Sequence, residues 1–426
     1  MLYYLFDWLQ KAFDFPGAGL FQYITFRAIV VLILSIILSA WFGKIFIKYM
    51  KNHKYFEEQR DEKTDPYNKG KKGVPTMGGI VIIAAILIPC LLMGKLLNVY
   101  FVLMVITTVL LGLVGFADDY IKTFKKRKDG IKPWMKIGAQ VALGLIVGLT
   151  LRYSPSAVMN ENVTIRIENN VEVVEKTPDV KSTRTTIPFF KNNNLNYADL
   201  FSFLGEKWKY GAGWIFFVIL TIFVVAAVSN GSNLNDGMDG MAAGNSAIIG
   251  LGLLVLAYVS GSTVFANYLN VMYIPGSEEI VVFMCAFVGA LIGFLWYNSY
   301  PAQMFMGDTG SLTIGGIIAV AAIIIHKELL LPLICGVFLF EILSDIDVKI
   351  FLKRGKKHRI WKRSPLHDHF RTSYSAFQKT WPNSTVTFKG SGEGHNNVHF
   401  ETKITIRMWI ITLGLVALAL LTLKIR

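Results

Sequence analysis

VYFVLMVITTVLLGLVGFADDYIK, residues 99–122, carries no charge from Val99 to Ala117 and then meets two aspartates and a lysine. An uncharged apolar run of that length matches a hydrocarbon core of ~30 Å, which takes about 20 residues of helix to cross. A soluble helix would show an apolar stripe rather than an apolar cylinder. Further apolar blocks lie near 22–47, 75–94, 134–151, 211–229, 244–260, 280–297, 311–326, 329–351 and 405–424. With 53% hydrophobic and 17% charged residues, the chain is therefore predicted to be an all-α integral membrane protein of about ten transmembrane helices. The block at 329–351 carries Glu341, Asp345, Asp347 and Lys349 in its second half. Each such charge costs roughly 2.5–3.5 kcal/mol near a bilayer centre. That half must face protein or water, or its helix must bend or break.

Ten spans put segments 48–74, 118–133, 230–243, 298–310 and 352–404 on one side. Three of these are strongly basic, with runs from Lys48 to Lys72, from Lys122 through Lys125, Lys126, Arg127 and Lys128, and from Lys353 to Arg363. Excess Lys and Arg marks the cytoplasmic side, which leaves both termini extracytoplasmic. The net charge of +14 then reads as orientation and as affinity for anionic head groups or phosphates, and no nucleic-acid partner is expected. Cys90, Cys285 and Cys335 fall inside apolar blocks without metal-ligand spacing, as buried thiols do. No removable signal peptide is visible, and residues 1–20 alternate apolar and polar groups like an interfacial segment. The whole chain, 1–426, reads as one polytopic membrane domain. Segment 152–210 is an extracytoplasmic insertion, polar and partly β or irregular; 352–404 is a cytoplasmic loop with its own insertion at 383–404.

Unusual polar clusters occupy all five predicted cytoplasmic loops, so the active site is expected on the cytoplasmic face. Asp118 and Asp119 end the third span, where they meet the unfavourable end of a helix dipole. Lys122 could simply pair with Asp118 four residues before it, or the two acids could serve phosphate and Mg²⁺ chemistry with one as general base. In SNGSNLNDGMDGMAAG, residues 229–244, Asn230, Asn233, Asp236 and Asp239 recur every three residues, which a helix would gather on one face. In NSYPAQMFMGDTGSL, residues 298–312, Asp308 could cap a helix or hold a metal on a tight turn where phosphates are welcome. KRSPLHDHF, residues 362–370, offers His367 and His369 beside a basic run, without the further ligands that zinc requires. KGKKGVPTMGG, residues 69–79, resembles a phosphate loop but lacks the Walker pattern. Hard oxygen ligands beside phosphate-binding cations point jointly to Mg²⁺ and phosphoryl transfer.

The motifs GxPTMGG, FADDxxK, NxxNxxDGxDG, NSxPAxxFMGDTGS and SPLHxHF, in this order from Lys71 to the tenth span, resemble those of the polyprenyl-phosphate N-acetylhexosamine-1-phosphate transferases. The PTMGG and SPLHxHF elements favour the branch that uses UDP-MurNAc-pentapeptide over relatives that use UDP-GlcNAc. The resemblance implies a multi-pass enzyme of the bacterial cytoplasmic (inner) membrane. It would combine UDP-MurNAc-pentapeptide with undecaprenyl phosphate to give lipid I and UMP, with Mg²⁺, beside membrane lipid and as a homodimer. It implies Asp308 as metal ligand, and Asn233 and Asp236, with Asn230 near them, at the nucleotide site. Phe305 would stack on uracil, and Gly237, Met238 and Asp239 would shape the uridine pocket. Asn298, Lys71 and Lys122 would meet polar or phosphate groups, His367 would be the essential histidine, and His369 would join the substrate site. Asp118 would activate the lipid phosphate with Asp119 in support, in a direct displacement; a covalent route through Asp308 or Asp118 is the alternative. Three departures from the family pattern stand out: Asp368 between two histidines where the family usually has a third, Val74 for a threonine, and long insertions at 152–210 and 383–404. A UDP-GlcNAc transferase is the nearest alternative. A nucleotide-sugar or lipid transporter would instead place its ionisable groups at mid-membrane.

Overall fold

The computed structural model describes residues 1–56, 73–127, 129–160, 163–168, 171–176, 179–189, 194–269, 271–353, 361, 363–371 and 401–424, with 163–168, 171–176 and 351–353 described by their backbone alone. The helices are α1 (Leu2–Phe13), α2 (Ile24–Asn52), α3 (Gly79–Met93), α4 (Val99–Phe124), α5 (Pro133–Tyr153), α6 (Glu206–Asn235) and α7 (Met241–Ser260). They continue as α8 (Thr263–Leu269), α9 (Glu278–Asn298), α10 (Gly307–Ile324), α11 (Leu331–Ile334), α12 (Gly336–Lys353), α13 (Leu366–Arg371) and α14 (Glu401–Thr422).

Every apolar block read from the sequence is helical. Among the described residues, eight helices are long and apolar enough to cross a membrane: α2, α4, α5, α6, α7, α9, α10 and α14. A ninth span is bent by 78° between Glu328–Ile334 and Gly336–Ile350. The four charged residues of the 329–351 block all lie beyond the bend, so the chain turns before they begin. The remaining block, α3, has 15 residues. Its length of about 22 Å falls short of a ~30 Å core, because Pro75 to Gly78 precede the helix in an irregular turn, with Met77 at φ 69°.

α10 is the hub. In its most apolar stretch 89% of residues are buried, against 22–33% in the peripheral α2, α5, α6 and α14. Its sequence explains the position: Gly315, Gly316, Ala319, Ala321 and Ala322 let neighbouring backbones approach closely. It packs against α4, α6, α3 and α7, so the residues of its first turn sit at the centre of the bundle's end.

The insertion at 152–210 forms two antiparallel hairpins, β1 (Val163–Glu168) with β2 (Val171–Lys176), and β3 (Arg184–Thr186) with β4 (Asn194–Asn196). The second hairpin docks on the turn after α10. Thr186 N–H donates to His326 O at 3.1 Å, and the buried Lys327 ammonium donates to Thr186 Oγ1. Tyr197 follows with a 2.8 Å bond from its hydroxyl to Glu328 Oε1.

At the same end, Arg27 of α2 and Glu279 of α9 form a bidentate pair of 2.6 and 2.8 Å, both side chains fully buried. Met93 O accepts from Arg27 and Lys95 N–H donates to Glu279, so the pair ties α2, α3 and α9 together. Removing one partner leaves a buried charge uncompensated, which costs about 3–5 kcal/mol, whereas replacing both by apolar groups is near neutral. Glu279→Leu is therefore expected to lower the thermal midpoint in detergent steeply. The double variant Arg27→Met with Glu279→Leu should recover most of the loss. Equal midpoints for the single and double variants would show that the pair does not act as one unit.

Candidate active site

Asp118 and Asp119 close α4 but face different partners. Asp118 is buried and its Oδ1 accepts from Ile131 N–H at 2.7 Å, so the loop between α4 and α5 folds back over it. Its Oδ2 lies 2.7 Å from Lys122 Nζ and 3.1 Å from Lys136 Nζ. The i,i+4 pair expected between Asp118 and Lys122 is present, yet it does not stand alone. Asp119 accepts from Asp308 N–H at 3.0 Å, from Thr309 N–H at 2.8 Å and from the Thr309 hydroxyl at 2.6 Å. The two N–H groups are orphan backbone donors at the start of α10. Asp119 thus caps a neighbouring helix, and the positive end of that dipole offsets the penalty of an acid at the C-terminal end of its own.

Asp308 stands in the first turn of α10. Asn233 of α6 donates to its Oδ1 at 2.8 Å, Lys122 reaches its Oδ2 at 3.2 Å, and the Lys136 ammonium donates to the same oxygen. Four helices, α4, α5, α6 and α10, converge on this carboxylate. Asp118, Asp119 and Asp308 each offer an oxygen within 4.8 Å of the other two. Such an all-oxygen donor set suits a hard divalent cation. The three acids could hold such a cation, and the two ammoniums beside them could contact anionic oxygens.

A second layer is built from loops. Phe305 N–H donates to Pro75 O, while Gly78 and Gly79 N–H donate to Phe305 O and Met306 O, at 2.8, 2.8 and 2.9 Å. The GVPTMGG and FMGDTG motifs are thereby zipped edge to edge, and Phe305 stays half-buried at the rim. Asn298 is buried, donating to Met304 O at 2.9 Å and accepting from Gly240 N–H at 3.1 Å. Asp239 is buried too and accepts from Ala302 N–H at 3.0 Å. Both side chains brace the 236–240 turn against the 298–306 loop.

The three-residue repeat from Asn230 to Asp239 does not share one helix face. α6 ends at Asn235, Asp236 is its C-cap, and Asp239 follows in a turn closed by Gly240 at φ 73°. Asn233 reaches Asp308 and Ser311, whereas Asn230 donates to Gln140 of α5 at 3.2 Å and to Ala226 O at 2.8 Å. Met238 is buried against Met241, Val337, Ile404 and Met408. His367 is buried in α13, and His369 stands half-buried with its ring edge-on to Trp361 at 5.3 Å. Asp368, in the family's histidine position, is paired with Arg371 at 2.6 Å, which itself reaches Glu401 of α14 at 3.1 Å. Lys71 lies outside the described residues, as do 372–400, which include most of the insertion at 383–404.

Lys136 was hidden in the sequence inside an apolar block. Its signal was position: a lysine in the first turn of α5, three residues after the Pro133 that opens the helix on the basic side. Thr309, which donates twice to Asp119, had no signal beyond adjacency to Asp308.

Clustered acids and lysines where the ends of α4, α5, α6 and α10 converge suit a membrane-integral enzyme that acts on phosphorylated substrates. In keeping with that class, residues 101–326 match the family model described as glycosyl transferase family 4. The chain is 61% identical over its whole length, and the whole of theirs, to phospho-N-acetylmuramoyl-pentapeptide-transferase of Bacteroides fragilis. It is 51% identical to that of Parabacteroides distasonis and 48% to that of Flavobacterium psychrophilum, again across the full length of both chains. The chain belongs to the family of phospho-N-acetylmuramoyl-pentapeptide-transferases.

Proposed function

We propose that the chain transfers phospho-MurNAc-pentapeptide from UDP-MurNAc-pentapeptide to undecaprenyl phosphate, giving lipid I and UMP. One observation carries this reading: Asp118, Asp119 and Asp308 lie together with Lys122 and Lys136, within a chain of that family along its full length. The chain is then a single multi-pass domain of ten spans in the bacterial inner membrane, the bent α11–α12 pair and short α3 included, with both termini outside. The acids lie on the same side as the basic loops, hence in the cytoplasm, where a soluble nucleotide donor and a membrane-held acceptor can meet. A homodimer belongs to the same reading.

An oxygen of the lipid phosphate attacks the sugar-linked phosphorus of the donor. The new O–P bond forms as the bond to UMP breaks, and UMP leaves with the electron pair. Asp118, fixed by Ile131 N–H and flanked by two ammoniums, takes the proton of the lipid phosphate where it carries one. Asp119 keeps α10 and therefore Asp308 in place. Lys122, Lys136 and Lys71 bind phosphate oxygens, and Phe305 stacks on uracil above the Gly237–Met238 turn. Asn230, Asn233 and Asp236 flank the nucleotide from the end of α6, with Asn298 and Asp239 fixing the loops around it. His367 and His369 address the pyrophosphate from α13. Mg²⁺, held by Asp308 at the acid cluster, would supply charge neutralisation to the pyrophosphate.

UMP release by purified protein tests the reading, with the donor, the lipid and the metal omitted in turn. Release that needs all three, with UDP-GlcNAc inert, is the expected result. Turnover with UDP-GlcNAc alone would assign the chain to the sister reaction. Silence with both donors in folded protein would overturn the catalytic reading.

A further inference from the structure

Beyond the acid cluster, a second carboxylate is buried without a full set of partners. Glu341 lies in the second turn of α12, past the 78° bend, and is fully buried. Its Oε2 accepts from His367 N–H at 3.4 Å and stands 3.2 Å from His367 Nδ1. Its Oε1 and His367 Nδ1 have no hydrogen-bond partner among the described residues. Leaving buried donors and acceptors unpaired is costly, roughly 1–3 kcal/mol each. A small rotation of the imidazole would close an N–H···O bond between the two orphans' side chains.

The other edge of the ring is fixed as tightly. A Cβ placed on Gly237 would lie 2.1 Å from His367 Nε2 and 2.4 Å from Cε1. Only a glycine admits the ring there, so Nε2 rests directly on the 236–240 turn. The imidazole is wedged between a carboxylate on α12 and the backbone of that turn. One turn further along α12, Asp345 Oδ1 accepts from Ser364 Oγ at 3.3 Å. The face of α12 that carries Glu341 and Asp345 therefore grips the segment 364–367 at two points.

We propose that Glu341 is a positioning residue for His367. A carboxylate at Nδ1 fixes the tautomer that carries its proton there and raises the basicity of the far nitrogen. Nε2 is then presented at the turn, oriented by a group that itself touches no substrate. The inference rests on the proposed reaction, because it gives His367 something to act on. It also gives the bend in the ninth span a purpose: the direction of α12 past the bend sets the position of the histidine.

Four proteins test this: the wild type, Glu341→Gln, His367→Gln and the double variant, compared by kcat and KM for UDP-MurNAc-pentapeptide. Glu341→Gln keeps the side-chain volume and an acceptor for the His367 N–H, so the fold is retained. Its kcat should fall about 10–100-fold, the usual effect of removing such an orienting partner, with KM changed by less than about threefold. In the His367→Gln background the same substitution should change kcat by less than about twofold, since coupled residues are not additive. Independent, multiplicative losses, or wild-type kcat in Glu341→Gln, would overturn the proposal. Nitrogen NMR of ¹⁵N-histidine-labelled protein, with His367→Gln supplying the assignment, gives a readout free of turnover. The Nδ1–H tautomer in the wild type and its loss in Glu341→Gln are expected; an unchanged tautomer would overturn the proposal. A wild type that releases no UMP but shows this NMR change would sink the reaction while leaving the pairing intact.

Discussion

Asp308→Asn should lower kcat by about three orders of magnitude in a protein that still folds. Removing one electrostatic contact to a developing charge typically costs 10²–10³ in rate, about 2.7–4 kcal/mol, and Asp308 makes several. The substitution takes the charge from the point where α4, α5, α6 and α10 converge. The Lys122 and Lys136 ammoniums would then share only Asp118, which both already contact. The seat for a divalent cation would lose one of its three oxygen donors. Folding should survive because asparagine has the shape of aspartate and can still accept from Asn233 through its amide oxygen. The measurement is UMP release under single-turnover conditions at saturating donor, lipid and Mg²⁺, beside a thermal unfolding scan. A kcat within tenfold of wild type would remove Asp308 from the chemistry and reduce it to a structural acceptor for two lysines.

How far the sequence foretold this cluster depends on what each residue does. Asp118, Asp119, Lys122, Asn233 and Asp308 were legible, because polar groups at the ends of apolar blocks are expensive and stand out. A bend in the ninth span was one of the outcomes its charges allowed: Glu341 and the three charges after it had to face protein or water, or their helix had to bend or break. Its location at Cys335 was not read, although Pro332 and Gly336 flank that residue. The short α3 was also hidden, because an apolar stretch does not reveal that its first residues, Pro75 to Gly78, stay outside the helix and bond to Phe305. Roles were harder to read than positions. Asp119 and Asp118 are adjacent and chemically identical, yet one caps α10 and the other faces the lysines, a difference set by which way α4 is rotated against its neighbour. Asn298 and Asp239 carry the same donors and acceptors whether they hold substrate or brace two loops, so only packing could reveal the brace. Lys136 was masked by its apolar neighbours in sequence and exposed by its neighbours in space.

The glycines of the motifs lead to the second large effect. Gly115→Ala, a single added methyl group, should cut kcat about 100-fold and lower the thermal midpoint as well. A Cβ at Gly115 would stand 2.4 Å from Asp308 O and 2.5 Å from Thr309 Cα, contacts that real Cβ atoms do not make. From the other side, a Cβ at Gly79 would stand 2.1 Å from Gly310 N. The first turn of α10 is thus clamped backbone to backbone between α4 and α3. The atoms in the way are main chain, so no side-chain rotation can relieve the clash and α10 must shift by the better part of an ångström. Displacements of that size cost about 10² in rate when they reach reacting groups. This one would act on Asp308 itself and pull the Thr309 donors away from Asp119. Gly414→Ala in α14 is the matched control, since a Cβ there meets nothing within 4 Å, and it should leave kcat and the midpoint unchanged. If Gly115→Ala kept wild-type kcat, the position of Asp308 would not depend on the close approach of α4 and α10, and the small residues of GFADD and GDTG would serve packing alone. If it lost activity at an unchanged midpoint, the clamp would act on catalysis without bearing on stability, and the membrane bundle would be tolerant of a shift that its active site is not.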